Sequence, residues 1–135
     1  MADETSLAEG KWLATEPAVL APETAAQYLR DMHETLPLYA SEGIAHPGFL
    51  LRLCNGCLRE NVVLAPWIHT GSKVANFAVA RVGDRLEARA RVAANYERKG
   101  HRFVDLDALI IANGSTPVAH VLHTAAYRLR HLSAA

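Results

Sequence analysis

The sequence predicts an α+β domain in which helices come first and a curved antiparallel sheet follows. Two observations predict it. Apolar residues recur at helical spacing as far as Leu58, and with period two after Pro66. The alternating stretches also outrun the five or six residues of an ordinary strand, roughly. Strands of that length suit a sheet that wraps around one long central helix.

At 135 residues the chain has room for one domain of ordinary size. We place that domain at residues 16–135, behind a loose N-terminal tail at 1–15. Half of the residues are hydrophobic and 21% are charged, the balance of a globular protein and not of a disordered one. Fourteen basic side chains offset fourteen acidic ones, so no net field draws the chain to nucleic acid or to an anionic membrane. The longest uncharged run, Ala108 to Tyr127, is interrupted by Asn113-Gly114-Ser115-Thr116-Pro117. It therefore reads as two strands and a turn, not a membrane span. Asp3, Glu4, Glu9 and Lys11 near the N-terminus do not fit a secretory signal, and two cysteines make no disulfide framework. A soluble, cytoplasmic protein is expected.

The first helix begins at Pro22, with Glu23 in its first turn and Ala26, Leu29 and Met32 along one face. Leu36-Pro37 interrupts it. The second and longer helix starts near His46-Pro47 and carries Leu50, Leu51, Cys54, Cys57 and Leu58 as an apolar stripe. Gly56 lies inside that stripe, where glycine costs about 1 kcal/mol relative to alanine. Either another backbone approaches there or the helix is shorter.

Four strands follow, at residues 67–81, 84–98, 101–113 and 117–130. Arg85, Glu87, Arg89 and Arg91 alternate with Leu86, Ala88, Ala90 and Val92, which gives one wet and one buried face. The next strand alternates in the same way, with Asp105 and Asp107 on its wet side. A two-residue turn at Lys99-Gly100 would set Ala94 opposite Asp105 and oppose the two patterns. A three-residue loop, Arg98 to Gly100 with Gly100 left-handed, pairs Arg91 with Asp107 and Ala90 with Ala108. We therefore expect the odd loop.

Three motifs carry a family resemblance. Ile44-Ala45-His46-Pro47-Gly48-Phe49-Leu50 resembles the I-A-H-G-M-L opening of the central helix in MaoC-like (R)-specific enoyl-thioester hydratases and dehydratases. Val82-Gly83-Asp84-Arg85-Leu86 resembles the V-G-D-x-L turn of that fold, and Glu34 to Tyr39 stands where the family has D-x-N-P-x-H. The resemblance spans Pro22 to Arg130. It implies a hotdog fold, a dimer, and an acyl thioester of coenzyme A or of acyl carrier protein bound near the interface. It also implies hydration of a 2-enoyl thioester, in which an aspartate and a histidine activate water and a helix-start N–H stabilises the thioester oxygen.

Laid on this chain, the family's catalytic pattern departs at three positions. Glu34 replaces the aspartate and is one methylene longer. Tyr39 replaces the histidine, and a phenol of ordinary pKa near 10 is a poor base. Pro47 has no N–H to donate, which leaves Gly48 as the substitute donor. The expected function is therefore acyl-thioester binding, as an accessory protein or with altered catalysis. Two alternatives stand beside it. One is an active hydro-lyase or thioesterase using Glu34, Tyr39 or His46. The other is a structural partner of a catalytic hotdog chain, so the dimer is with itself or with such a chain.

Other residues carry weaker signals. Asn55 on the central helix can orient a water, as in a thioesterase, and His69 opens the first strand. Arg98 and Lys99 at the hairpin tip can meet the phosphates of coenzyme A. Cys54-Asn55-Gly56-Cys57 lies within a helix on its apolar stripe, so small buried thiols explain it better than redox chemistry. The seven histidines are scattered, and His120 and His123 face opposite sides of one strand. No metal and no cofactor are expected.

Overall fold

The computed structural model describes residues 2–61 and 68–130. The elements run β1 (Trp12–Ala14), β2 (Ala18–Val19), α1 (Pro22–Asp31), α2 (Pro37–Glu42), α3 (Pro47–Arg59), β3 (Ile68–Asn76), β4 (Arg85–Arg98), β5 (His101–Ala112) and β6 (Thr116–Arg128). One antiparallel sheet has the order β1-β4-β5-β6-β3, with β2 also pairing to β4. Helix α3 packs on one face of it. This is the α+β hotdog architecture that the sequence predicts.

Helix α3 starts where Pro47 occupies the first helical position, and His46 caps the turn. It buries Leu50, Cys54, Cys57 and Leu58 of the predicted stripe, while Leu51 is half-buried at its margin. Each fully buried leucine of this kind contributes about 2 kcal/mol. Ala88, Ala90 and Ala108 line the facing sheet and are fully buried. Their small side chains let the helix lie close. Neither alternative holds at Gly56: the helix continues to Arg59, and what lies close is a side chain, the Thr15 methyl, which a Cβ there would meet at 3.1 Å.

The β4–β5 hairpin corrects one expectation. Arg91 does pair with Asp107, and Ala90 with Ala108. The loop, however, is the two-residue Lys99-Gly100, with φ of 52° and 83°. Positive φ at both central residues is what a tight hairpin turn demands. Ala94 accordingly sits opposite Asp105. The odd residue is absorbed at Ala93, between Val92 and Ala94, where the register shifts. A bulge there restores the alternation that the loop was expected to restore, and adds twist to the sheet.

Residues 2–15 also differ from the loose tail expected. Leu7 and Leu13 are buried and β1 pairs with the edge of β4. Asn95 holds the Leu7 carbonyl at 3.0 Å, and Glu4 accepts from Arg128 at 3.0 Å. Two isolated leucines and an unpaired strand edge were enough to bind this segment down. In α1 the inward side is formed by Ala25, Tyr28 and Leu29, and Met32 is exposed. The helix ends at Asp31, before Leu36-Pro37, and Leu36-Pro37 instead starts a second helix, α2. The first long strand is shorter than predicted: it ends at Asn76, the Phe77 and Ala78 N–H groups still donate to the Val118 carbonyl of β6, and the chain then reaches the α2–α3 turn, where the Ala45 N–H donates to the Ala80 carbonyl. Its predicted start at Trp67 lies outside the described residues. The Val82-Gly83-Asp84 turn is present, with Gly83 at φ 95° and the Asp84 carboxylate accepting from the Arg81 N–H.

Candidate functional site

Glu34, Tyr39 and His46 come together at the start of α3. Glu34 lies between α1 and α2, Tyr39 in the first turn of α2, and His46 at the cap of α3. The Gly48 N–H donates to His46 Nδ1 at 2.9 Å. Nδ1 is therefore unprotonated, and Nε2 carries the proton. That Nε2–H donates to Glu34 Oε1 at 3.2 Å, with both side chains about a quarter exposed, 23% and 28%. The other carboxylate oxygen accepts from the Thr35 N–H at 3.1 Å. The imidazole lies between two phenols, Tyr39 at 4.7 Å and Tyr28 at 5.5 Å between ring centroids. Burial pushes the Tyr28 phenol up, against the pull of Arg52, whose guanidinium lies 4.9 Å from its ring.

Two hollows flank Tyr39. One, of about 270 Å³, is apolar and lined by Pro22, Ala25, Leu29, Ile44 and Val82. The other, of about 140 Å³, is bounded by Pro47, Leu50, Asn76 and Val79. Of Glu34, Tyr39 and His46, Tyr39 lines both hollows, while His46 borders a separate small crevice with Tyr28 and Phe49.

The donors at the helix start are committed. Pro47 has none, the Gly48 N–H is bound to His46 Nδ1, and the Phe49 N–H donates to the His46 carbonyl at 2.9 Å. The substitute donor that the sequence points to, Gly48, is already engaged. Gly48 is also required for a second reason, because a Cβ at that position would collide with the Tyr28 hydroxyl.

Asn55 and His69 belong to a different cluster, and sequence reasoning missed the residue that joins them. His123 on β6 is completely buried, and its Nε2–H donates to Asn55 Oδ1 at 2.9 Å. His69 stacks on the same ring with centroids 4.2 Å apart and planes 21° from parallel. Burial, reinforced by the neighbouring His69, pushes His123 down to about 4. Its Nδ1 has no hydrogen-bond partner among the described residues. The available signal was register: His123 alternates with Val121 and Ala125 on the buried side of β6, where histidine is out of place. His120 faces outward and pairs with Asp107, so the two histidines do diverge.

Arg98 and Lys99 occupy the β4–β5 tip. They lie at the His69 end of the sheet, since Asn95 pairs across β5 and β6 toward His69 and Ala88 toward Asn76. They are not beside Glu34 of their own chain. Cys54 and Cys57 are buried free thiols, both pushed up to about 12 by burial first. Among the described residues no three potential ligands gather into a metal site.

The fold has well-matched counterparts among solved structures. The (R)-hydratase from A. caviae involved in PHA biosynthesis superposes with a TM-score of 0.71 at 18% identity, covering 87% of this chain and 94% of the other. A MaoC-like dehydratase from Rhodospirillum rubrum gives 0.72 at 14% identity, covering 98% and 100%. The fluoroacetyl-CoA-specific thioesterase FlK, as a point mutant in complex with fluoroacetate and CoA, gives 0.68 at 17% identity, covering 87% and 92%. No protein-family model matches the sequence, and the comparison with curated proteins finds no match. These likenesses show the fold: a hotdog of the kind found in MaoC-like dehydratases and (R)-hydratases.

Proposed function

We propose that this protein is a MaoC-like, cytoplasmic hotdog dimer that binds acyl thioesters of coenzyme A or acyl carrier protein without ordinary hydratase turnover. One observation carries the second half of the proposal. The helix start that faces the site has no uncommitted N–H in its first three positions. Hydration of an enoyl thioester places negative charge on the thioester oxygen, and losing one donor to that oxygen costs about 10²–10³ in rate. The hollows beside Tyr39, and the hydratases and thioesterase that share the fold, support the ligand class. The dimer is supported by β3, a nine-residue edge strand exposed along its whole length. Among the described residues no helix is long and apolar enough to cross a membrane.

A second reading is favoured by the Glu34–His46 hydrogen bond, which is a ready acid–base pair. On that reading the protein is an active hydro-lyase or thioesterase. The deciding experiment measures crotonyl-CoA hydration and acyl-CoA thiol release alongside acyl-CoA binding. Binding without turnover supports the proposal. Turnover that disappears in Glu34→Gln supports the second reading and overturns the first.

A further inference from the structure

We propose that the outer face of the sheet carries a second ligand site, one that takes an aryl carboxylate, with the carboxylate on Arg91 and the ring against Trp12. The site lies on the face away from α3 and shares no residue with the Glu34–His46 cluster.

Register builds it. Ala90 and Ala108 are buried on the α3 side, so their strand neighbours Arg89, Arg91, Asp107 and Leu109 stand on the other face. Trp12 is directly opposite Arg91, Arg91 opposite Asp107, and Asp107 opposite Leu122, one row across four strands. The next row sets Arg89 opposite Leu109, and Leu109 opposite His120. Over these rows lies a hollow of about 560 Å³, with Trp12 and His120 among its borders and Leu109 and Ile111 as apolar lining. A hollow of that order holds a small organic ligand.

The charged side chains around it are paired, with one exception. The Arg89 guanidinium donates to both carboxylate oxygens of Glu87, at 3.2 and 3.1 Å. The Asp107 carboxylate accepts from His120 Nε2–H. Arg91 faces Asp107 in register and is left out of that pair. Among the described residues its guanidinium has no hydrogen bond and no ion pair.

The chemistry of the ligand follows from these neighbours. An uncommitted guanidinium is a planar fork of donors that matches a carboxylate with two parallel bonds. Trp12, opposite it, is 70% exposed, an indole face left in water. Such a face matches a flat ring. Asp107 and Glu87 nearby oppose a second negative charge, which favours a carboxylate over a phosphate monoester. A second copy of the chain fits this face poorly. It would bury Glu87, Arg89, Arg91 and Asp107 on each copy, and charged side chains are depleted at the centre of protein interfaces.

Calorimetric titration with 2-naphthoate tests this, with 2-naphthamide as the uncharged analogue and 2-naphthyl phosphate as the dianion. The wild type should bind the carboxylate more tightly than either. Arg91→Gln should weaken naphthoate about tenfold or more, the order expected for lost hydrogen bonds to a charged group, and leave the amide unchanged. Trp12→Leu should weaken naphthoate and amide alike. Both side chains are exposed, so the variants should unfold at the wild-type midpoint. No binding by the wild type, or naphthoate binding unchanged in either variant, overturns the inference. So does an amide or a phosphate that binds as tightly as the carboxylate. Sedimentation closes the remaining route: a wild-type particle that loses mass on Trp12→Leu has a second copy on this face, which also overturns it.

Discussion

His46 Nδ1 accepts the Gly48 N–H at 2.9 Å, so the residue that faces the site is also the cap of the central helix. Capping and site chemistry are thereby tied together. Replacing His46 by alanine removes a cap and should cost about 1 kcal/mol of stability. His46→Asn restores a capping acceptor and should recover most of that loss without restoring the bond to Glu34. Urea unfolding of the two variants separates the roles. Equal destabilisation by both would show that the imidazole does more than cap.

The close approach at Gly48 gives a second test. Gly48→Ala forces a methyl onto the Tyr28 hydroxyl and should destabilise by about 1–3 kcal/mol. Tyr28→Phe removes the oxygen, so the double variant should be more stable than Gly48→Ala alone. A double-mutant cycle in denaturant measures this coupling. Strict additivity would mean that the methyl is accommodated elsewhere.

His123 makes stability depend on pH. Its folded pKa, about 4, lies below the ordinary 6.5, so between those values the unfolded chain binds a proton that the folded chain does not. Stability from this group is complete above about pH 6.5 and is lost as pH falls toward 4, by roughly 3 kcal/mol over the whole window. Unfolding midpoints at pH 7 and pH 5 should differ in that direction. In His123→Gln the difference should shrink, whatever the variant's absolute stability. An unchanged pH dependence would place the acid sensitivity on other groups.

Cys54 and Cys57 should behave as core residues. Their thiols are buried and pushed up to about 12, so the thiolate that reacts with disulfide reagents is scarce at pH 8. Native protein should leave both unmodified, and denaturant should expose two reactive thiols per chain. Fast modification of the native protein would contradict the packing of α3.

The fold was largely legible because its signals are periodic. The apolar stripe of α3 and the alternation of β4 and β5 each depend on many residues, so no single misreading could hide them. The pairing of Arg91 with Asp107 followed from matching wet faces. Where the odd residue went did not follow, because alternation counts residues and does not say whether a turn or a bulge absorbs the surplus. The α2 helix and the two short N-terminal strands have too few residues to show a period at all. Local sequence brought out Glu34, Tyr39 and His46, which lie within thirteen positions of one another. The cluster of Asn55, His69 and His123 joins three elements across 68 positions between Asn55 and His123, and only the fold brings them together.

The bulge at Ala93 divides β4 into two stretches of opposite parity. Before it, odd-numbered side chains such as Arg89 and Arg91 face solvent. Beyond it, the even-numbered Tyr96 reaches outward to Asp105 while Asn95 turns inward to Leu7 and Tyr127. Anyone tagging, cross-linking or charging this strand by counting twos from Arg85 would, at Asn95, be cutting into the contacts that hold the N-terminal segment and Tyr127.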